Sequence, residues 1–369
     1  MIFNICQQIN GQSPFFVQLQ NTPLQISPSL AACDNDFKVI LQYRHIYRIG
    51  VPNFLNYAAT AVMPLTSKKL ELHRWGGVGM TISSQDHSSP EMIISLKNTQ
   101  VAYAHNLLLA NNLHAQAGFL VSYNFYSISN SNFNTGSQYN DLQGFNPNLP
   151  NNEKIYGRSD TYLDFAIGVS INKDRTYKDL HYFVAAGLYH PLSPKTTFLG
   201  GYNKVYPKVN VHAGYRLKAH HQWHFQPELF VSYSQDLFII VPGGRAEYHI
   251  PSGKDETKSD DFYLNFIARW WPLRAVIAGF ELRYHKWKAG IAYDIYTGPV
   301  QEVFLASGAY EVTLGYYQAL GMRRKHKDHT KSDMLHSEDP SKVTDKKSKS
   351  KTTNRKWKKT EKFIKPNTP

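Results

Sequence analysis

The sequence predicts an all-β protein, a transmembrane antiparallel β-barrel of about 14 strands with a disordered basic C-terminal tail. Three observations carry this expectation. Long segments alternate strictly between apolar residues and small or polar ones, which places one set on each face of a strand. Aromatic residues make up 14% of the 369-residue chain, with 24 Tyr and 20 Phe, against 19% charged residues, and aromatic side chains suit a pleated surface. No uninterrupted apolar run reaches roughly 18 residues, which excludes helical membrane spans but not a barrel, whose alternating strands average out in hydropathy.

Taken in order, residues 1–11 (MIFNICQQING) have neither a basic leading region nor an apolar core. If the chain is exported, they are expected to be the remnant of a signal peptide whose start lies upstream. Residues 12–36 are expected to form a periplasmic lead-in, and residues 37–321 the barrel. Alternation marks strands near 37–47, 53–63, 75–85, 99–110, 113–128, 162–171, 181–190, 208–217, 223–234, 238–250, 262–270, 275–283, 286–296 and 308–317. In one, Leu163, Phe165, Ile167, Val169 and Ile171 alternate with Tyr162, Asp164, Ala166, Gly168 and Ser170. In another, Val209, Val211, Ala213, Tyr215 and Leu217 alternate with Lys208, Asn210, His212, Gly214 and Arg216. These segments run about 9–13 residues, near the length that crosses a bilayer at a tilt and beyond the usual soluble strand. Their polar face is rich in Gly, Ser, Asn and His, as a lumen requires, where a soluble sandwich would carry more Lys and Glu.

An even strand count puts both chain ends on the periplasmic side. Even-numbered connections should then be short turns, as at Asn111-Asn112, 218–222 and Tyr284-His285. Odd-numbered ones should hold the outer loops, as at 129–161, 191–207 and 297–307. The short odd connection 272–274 and the longer even one at 251–261 depart from the pattern.

The formal charge of +13 is unevenly spread. Residues 322–369 carry 16 Lys+Arg and 6 Asp+Glu, a net of +10, which leaves 41 − 16 = 25 basic and 28 − 6 = 22 acidic groups, a net of +3, for the body. The charge therefore belongs to the tail, and no nucleic-acid partner is expected. The tail, with its run KKSKSKTTNRKWKK, is charge-dense and aperiodic, so it is expected to be a disordered segment. It is either a solvated extension or a contact for an anionic surface or acidic partner.

Cys6 and Cys33 are too few for a disulfide framework and lack metal spacing. Two unpaired thiols are the preferred reading, and a Cys6–Cys33 disulfide stays open if the chain is exported. His220, His221 and His224 sit at an expected turn and strand start without a nearby carboxylate or thiolate, so they read as turn decoration rather than a metal site. Glu281 and Asp294 alternate inward on neighbouring strands. Paired acid–base carboxylates would look like this, but lumen ion pairs with Arg245, Arg269 or Lys288 explain them as well. Gly200-Gly201 and Gly243-Gly244 lack the strand–helix context of a phosphate loop. Trp270-Trp271, with Trp75, Trp223 and Trp287, read as interfacial girdle residues. No catalytic, cofactor-binding or metal residue is assigned, and no enzyme activity or cofactor is expected.

One resemblance runs along most of the chain. Pro14, Phe16, Gln18, Pro23, Leu24 and Pro28 fall at the spacing of the mature start of PorP/SprF proteins, with Val17 and Ser27 replacing the usual Ser and Asn. Val39, Tyr43-Arg44 and Gly77-Val78-Gly79 resemble that family's first and third strands. Phe133, Gln138 and Gly144-Phe145-Asn146-Pro147 resemble its long loop, with Asp164 and Gly168 following. Next come Gly187, His190-Pro191 and Pro194, then His212-Ala213-Gly214-Tyr215. Ala275-Val276-Ile277, Gly279-Phe280-Glu281, Trp287, Gly290, Tyr293-Asp294-Ile295, Gly308, Tyr310-Glu311 and Leu314 close the series. The resemblance implies an outer-membrane component of type IX secretion that assists export or retention of large surface proteins, including gliding adhesins, by scaffolding. It implies as partners outer-membrane lipid, other secretion components in the periplasm and outer membrane, and a secreted cargo or adhesin. A passive outer-membrane transport barrel for small or hydrophobic molecules is the alternative, and a soluble β-rich binding protein a third reading.

Overall fold

In the computed structural model the alternating segments close on themselves. The structure describes residues 16–47, 53–67, 73–88, 93–110, 113–129, 138–140, 144–146, 148–149, 159–174, 180–196, 203–218, 222–235, 237–250, 262–272, 274–297 and 308–319. Fourteen long strands form one antiparallel barrel. They are β1 (Asp36–Tyr47), β2 (Asn53–Ser67), β3 (His73–Ser88), β4 (Ile93–Ala110), β5 (Leu113–Ser129), β6 (Ser159–Asp174) and β7 (Leu180–Tyr189). The second half holds β8 (Lys208–Tyr215), β9 (Trp223–Ser234), β10 (Leu237–Ile250), β11 (Phe262–Trp271), β12 (Ala275–Tyr284), β13 (Trp287–Tyr296) and β14 (Gly308–Ala319). Each strand pairs with its sequence neighbours, and the ring closes where β1 meets β14, from Asp36 opposite Ala319 to Tyr47 opposite Gly308. Full closure leaves no open edge, the one way a sheet can satisfy its backbone in lipid. Two-residue ladders, 139–140 with 144–145 and 195–196 with 203–204, stiffen two of the expected outer loops.

The burial pattern inverts that of a soluble sheet. Along β13, Trp287, Ala289, Ile291, Tyr293 and Ile295 are exposed while Lys288, Gly290, Ala292, Asp294 and Tyr296 are buried. On β6 the expected register holds, with Leu163, Phe165, Ile167, Val169 and Ile171 outward and Asp164 and Ser170 buried inward. Apolar outside and polar inside is the arrangement a lipid-embedded barrel needs. Among the described residues no helix is long and apolar enough to cross a membrane.

Several strands outrun their expected limits; β4 spans 18 residues, beginning at Ile93 rather than near 99. The alternation at its start is diluted by Ser95, Lys97 and Asn98. Trp270 and Trp271 cannot both be girdle residues, because adjacent strand residues point to opposite faces. Trp270 is exposed and Trp271 is buried toward the lumen. The basic tail lies outside the described residues, as do residues 1–15, Asn111-Asn112, Gly200-Gly201 and His220-His221.

The largest departure concerns residues 12–36. Their described part does not wait below the barrel as a lead-in. It fills the lumen. Phe16, Val17, Gln18, Leu19, Leu24, Ala31 and Ala32 are all nearly inaccessible, packed against inward residues of strands on both sides of the ring.

Candidate functional site

The plug is built from three short helical turns, at Leu19–Asn21, Pro23–Ile26 and Pro28–Ala32. Pro23 and Pro28 begin the second and third turns, where a residue without an N–H and with a fixed φ is tolerated best. Ser27 accepts from the Ser29 N–H at the start of the third turn, and the Thr22 hydroxyl donates to the Leu19 carbonyl at 3.1 Å. These turns are too short to satisfy their own backbone, so the barrel wall does it for them.

The first anchor is Glu311 on β14. Its carboxylate accepts the Val17 N–H at 2.7 Å and the Gln18 N–H at 3.1 Å. Beside it Arg44 on β1 pairs with Asp294 at 2.5 Å and reaches Glu311 at 3.4 Å. The second anchor is Glu281 on β12, which accepts from the side chains of Gln20 at 2.8 Å and Asn21 at 2.9 Å. Lys288 on β13 pairs with Glu281 and donates to the Asn21 side-chain oxygen, both at 2.9 Å. The third is Arg269 on β11, which donates to the Val17 carbonyl at 2.6 Å and to Glu228 at 2.7 Å, while Arg245 holds the other Glu228 oxygen at 2.8 Å. On the opposite wall Tyr189 donates to the Leu24 carbonyl, Asn210 to the Gln25 carbonyl, and Ser27 to the Ala186 carbonyl. Charges this deeply buried persist only when paired and hydrogen-bonded. Here the plug supplies part of that pairing.

Close approach makes the rest possible. A Cβ at Gly77 would run into the Ala31 carbonyl oxygen. One at Gly118 would lie 2.8 Å from the Ser29 nitrogen, and one at Gly187 2.5 Å from the Ile26 carbonyl oxygen. These glycines occupy inward positions on β3, β5 and β7 and form a track on which the plug backbone rests. Leu24, Ala31 and Ala32 then pack with Val62, Ala102, Ala104, Leu120 and Ala166, so on this side the plug and the wall share an apolar cluster.

Toward the end of the barrel where β1 begins and β14 ends, the plug leaves a cavity of about 250 Å³. Its floor is plug, with Leu19, Pro23, Ile26, Leu30 and Cys33, and its walls carry Lys38, Arg216, Arg245, Arg283 and Lys288 beside Asp34, Glu228 and Glu247.

Glu281 and Asp294, expected inward either as acid–base carboxylates or in lumen ion pairs, are both buried in ion pairs. Of the three expected cations, Lys288 reaches Glu281, whereas Asp294 takes Arg44. The two carboxylates therefore serve separate anchors. His224 lines the cavity, and among the described residues no group of His, Cys, Asp and Glu is arranged to hold a metal. Sequence reasoning missed Arg44, Glu228 and Glu311 as site residues. Their signal was a charged residue at an inward position of an otherwise lipid-compatible strand.

A family model described as "Type IX secretion system membrane protein PorP/SprF" matches residues 8–316, which takes in the plug and nearly all of the barrel. No curated protein matches the chain significantly. Among solved structures, the chain is similar to the Ralstonia pickettii toluene transporter TbuX, with 9% identity, 81% of this chain and 93% of that one covered, and a TM-score of 0.45. It is also similar to a Pseudomonas aeruginosa FadL homologue, at 6% identity, 80% and 93% coverage and a TM-score of 0.46. The translocator domain of autotransporter NalP from Neisseria meningitidis matches at 8% identity, 77% and 88% coverage and a TM-score of 0.33.

Proposed function

Since this chain belongs to the PorP/SprF family of type IX secretion membrane proteins, and is thus an outer-membrane β-barrel of that system, we propose that it acts as a closed scaffold without catalysis. It assists export or surface retention of large secreted proteins or gliding adhesins by holding them and other secretion components, not by conducting them through its lumen. The observation that supports this is the plug: residues 16–33 occupy the middle of the barrel and are held by Glu311, Glu281 and Arg269. A passive transport barrel, the rival reading, needs a continuous path, and the apolar cluster around Leu24 argues against an aqueous one.

In this reading the end where β1 starts and β14 stops faces the periplasm. The tail of net charge +10 (16 Lys+Arg against 6 Asp+Glu) emerges there and makes many weak, salt-sensitive contacts with a periplasmic partner.

The test is co-purification from detergent-solubilised outer membranes, alongside single-channel recording of the purified chain. Secretion components and a cargo protein should accompany the barrel, and bilayers should stay silent. A steady conductance with no accompanying protein would favour the transport barrel instead.

A further inference from the structure

The cavity between the plug and the chain-terminal end of the barrel has two unlike surfaces. Leu19, Ile26 and Leu30 give it an apolar floor, and Lys38, Arg216, Arg245, Arg283 and Lys288 give it a basic wall. Three carboxylates share that wall, Asp34, Glu228 and Glu247. Each is already engaged, by Lys38, by Arg245 with Arg269, and by Arg216. Lys288 is taken by Glu281.

Arg283 differs from the other four cations. Its nearest carboxylate among the described residues is Asp36, at 4.0 Å and beyond hydrogen-bond reach, and its side chain is 43% exposed. The guanidinium lies 5.5 Å from the Tyr317 ring centroid and 5.9 Å from that of Tyr263. These cation–π contacts leave the guanidinium's N–H groups without a carboxylate at hydrogen-bond distance among the described residues, and a guanidinium can receive a carboxylate through two parallel bonds. Lys38 and Lys288 lie over the same Tyr317 ring, at 5.7 and 5.9 Å, but each is paired with its own carboxylate, which leaves Arg283 as the cation open to a further one. At about 250 Å³ the space falls just below the roughly 300–1,000 Å³ of small-molecule pockets. It has room for about one or two side chains of an inserted segment.

We propose that this vestibule is a docking site for an acidic peptide segment of a partner protein, with Arg283 receiving a carboxylate and a neighbouring apolar side chain resting on Leu19, Ile26 and Leu30. The occupant is identified by charge and by the apolar floor, a combination that a free inorganic anion would use only in half. The scaffold reading enters only in taking the occupant to be a protein.

The experiment titrates acetyl-Leu-Glu-Leu-Glu, and its counterpart acetyl-Leu-Lys-Leu-Lys, into the purified full chain in detergent and reads binding by calorimetry. The acidic peptide should bind and lose affinity as salt is raised, and the basic one should not bind. Arg283→Gln should weaken binding about tenfold, the loss of one charge-assisted contact, while Lys204→Gln near the opposite end leaves it unchanged. Leu30→Glu, which sets a negative charge in the floor, should abolish binding and provides a second readout should Arg283→Gln fail to show heat-modifiable folding. Equal affinity for both peptides, or native affinity in folded Arg283→Gln, would overturn the proposal. So would displacement of the peptide by equimolar inorganic phosphate, which would make this a plain oxyanion site. No secretion partner is present in the cell, so failure here leaves the scaffold reading intact. Lost co-purification with peptide binding preserved would overturn that reading alone.

Discussion

Replacing Glu311 by Gln separates the plug from the wall with little change of volume. Two effects compete. The first is charge: Arg44 loses a carboxylate partner, but that contact is the longer one at 3.4 Å, and Asp294 still balances the guanidinium at 2.5 Å. The second is hydrogen bonding. The carboxylate serves two buried backbone donors, Val17 N–H and Gln18 N–H, and a Gln side chain offers one oxygen and presents an N–H₂ to the other donor. Orphaning one buried N–H costs about 1–3 kcal/mol, and losing charge assistance on the other costs about 1 kcal/mol more. The hydrogen-bond effect therefore dominates, at about 2–4 kcal/mol, a roughly 30- to 700-fold shift in the docked-to-undocked ratio. The loss falls chiefly on the plug, because the wall contacts of this carboxylate, with Gln42 and Arg44, are both longer at 3.4 Å and the β14 ladder is untouched. The expected result is a barrel that stays heat-modifiable and folded but shows transient conductance steps in planar bilayers where the native chain is silent. Unchanged silence, with an unchanged rate of proteolysis within residues 16–33, would refute the anchoring role of Glu311.

The same plug is reached without altering charge by Gly187→Val, whose Cβ would sit 2.5 Å from the Ile26 carbonyl oxygen; it should also produce conductance, and a silent, folded variant would show that the glycine track is not what seats the plug. Arg in place of Ile167, 55% exposed on the outer face, should destabilise the barrel by about 2–4 kcal/mol if near the bilayer midplane, as read from urea unfolding in vesicles, while Ile167→Leu should be nearly neutral. An epitope inserted after Asn140, in the short ladder with Gly144, should be reached by antibody on intact cells, and access only after permeabilisation would reverse the orientation proposed. Deletion of residues 322–369 should leave heat-modifiability intact and reduce salt-sensitive co-purification, and failure to assemble would make the tail a structural element.

The walls of this molecule were legible in the sequence because a two-residue period is a local signal that survives any loop length. Leu163 to Ile171 state their own orientation, and so do Trp287 to Tyr296. The plug was not legible from period, because residues 16–33 form three turns, each shorter than any repeat that could reveal it. Indirect signs were present. Gly77, Gly118 and Gly187 stand at inward positions, where they make room for a close backbone, and Leu120 stands inward among Gln116, Ser122 and Asn124. Arg44 and Glu311 entered only through the family resemblance, since their pairing crosses the seam between the two ends of the chain, and no sequence window spans it.

That seam ties the plug to the register of the wall. Val17 and Glu311 are separated by 294 residues, yet the plug is joined to β1 by only the short stretch 33–35. Arg44 of β1 lies directly opposite Glu311 in the closing ladder. Long-range pairing of this kind forms late, since the entropy of closing the loop must be met first. With β1 and β14 paired in register, Glu311 stands within reach of the plug amides at Val17 and Gln18. A slip of one residue would turn Glu311 outward into lipid and leave the Val17 and Gln18 amides without an acceptor. The buried carboxylate thus reports the register of the closing ladder to the plug, and only the in-register seam satisfies it.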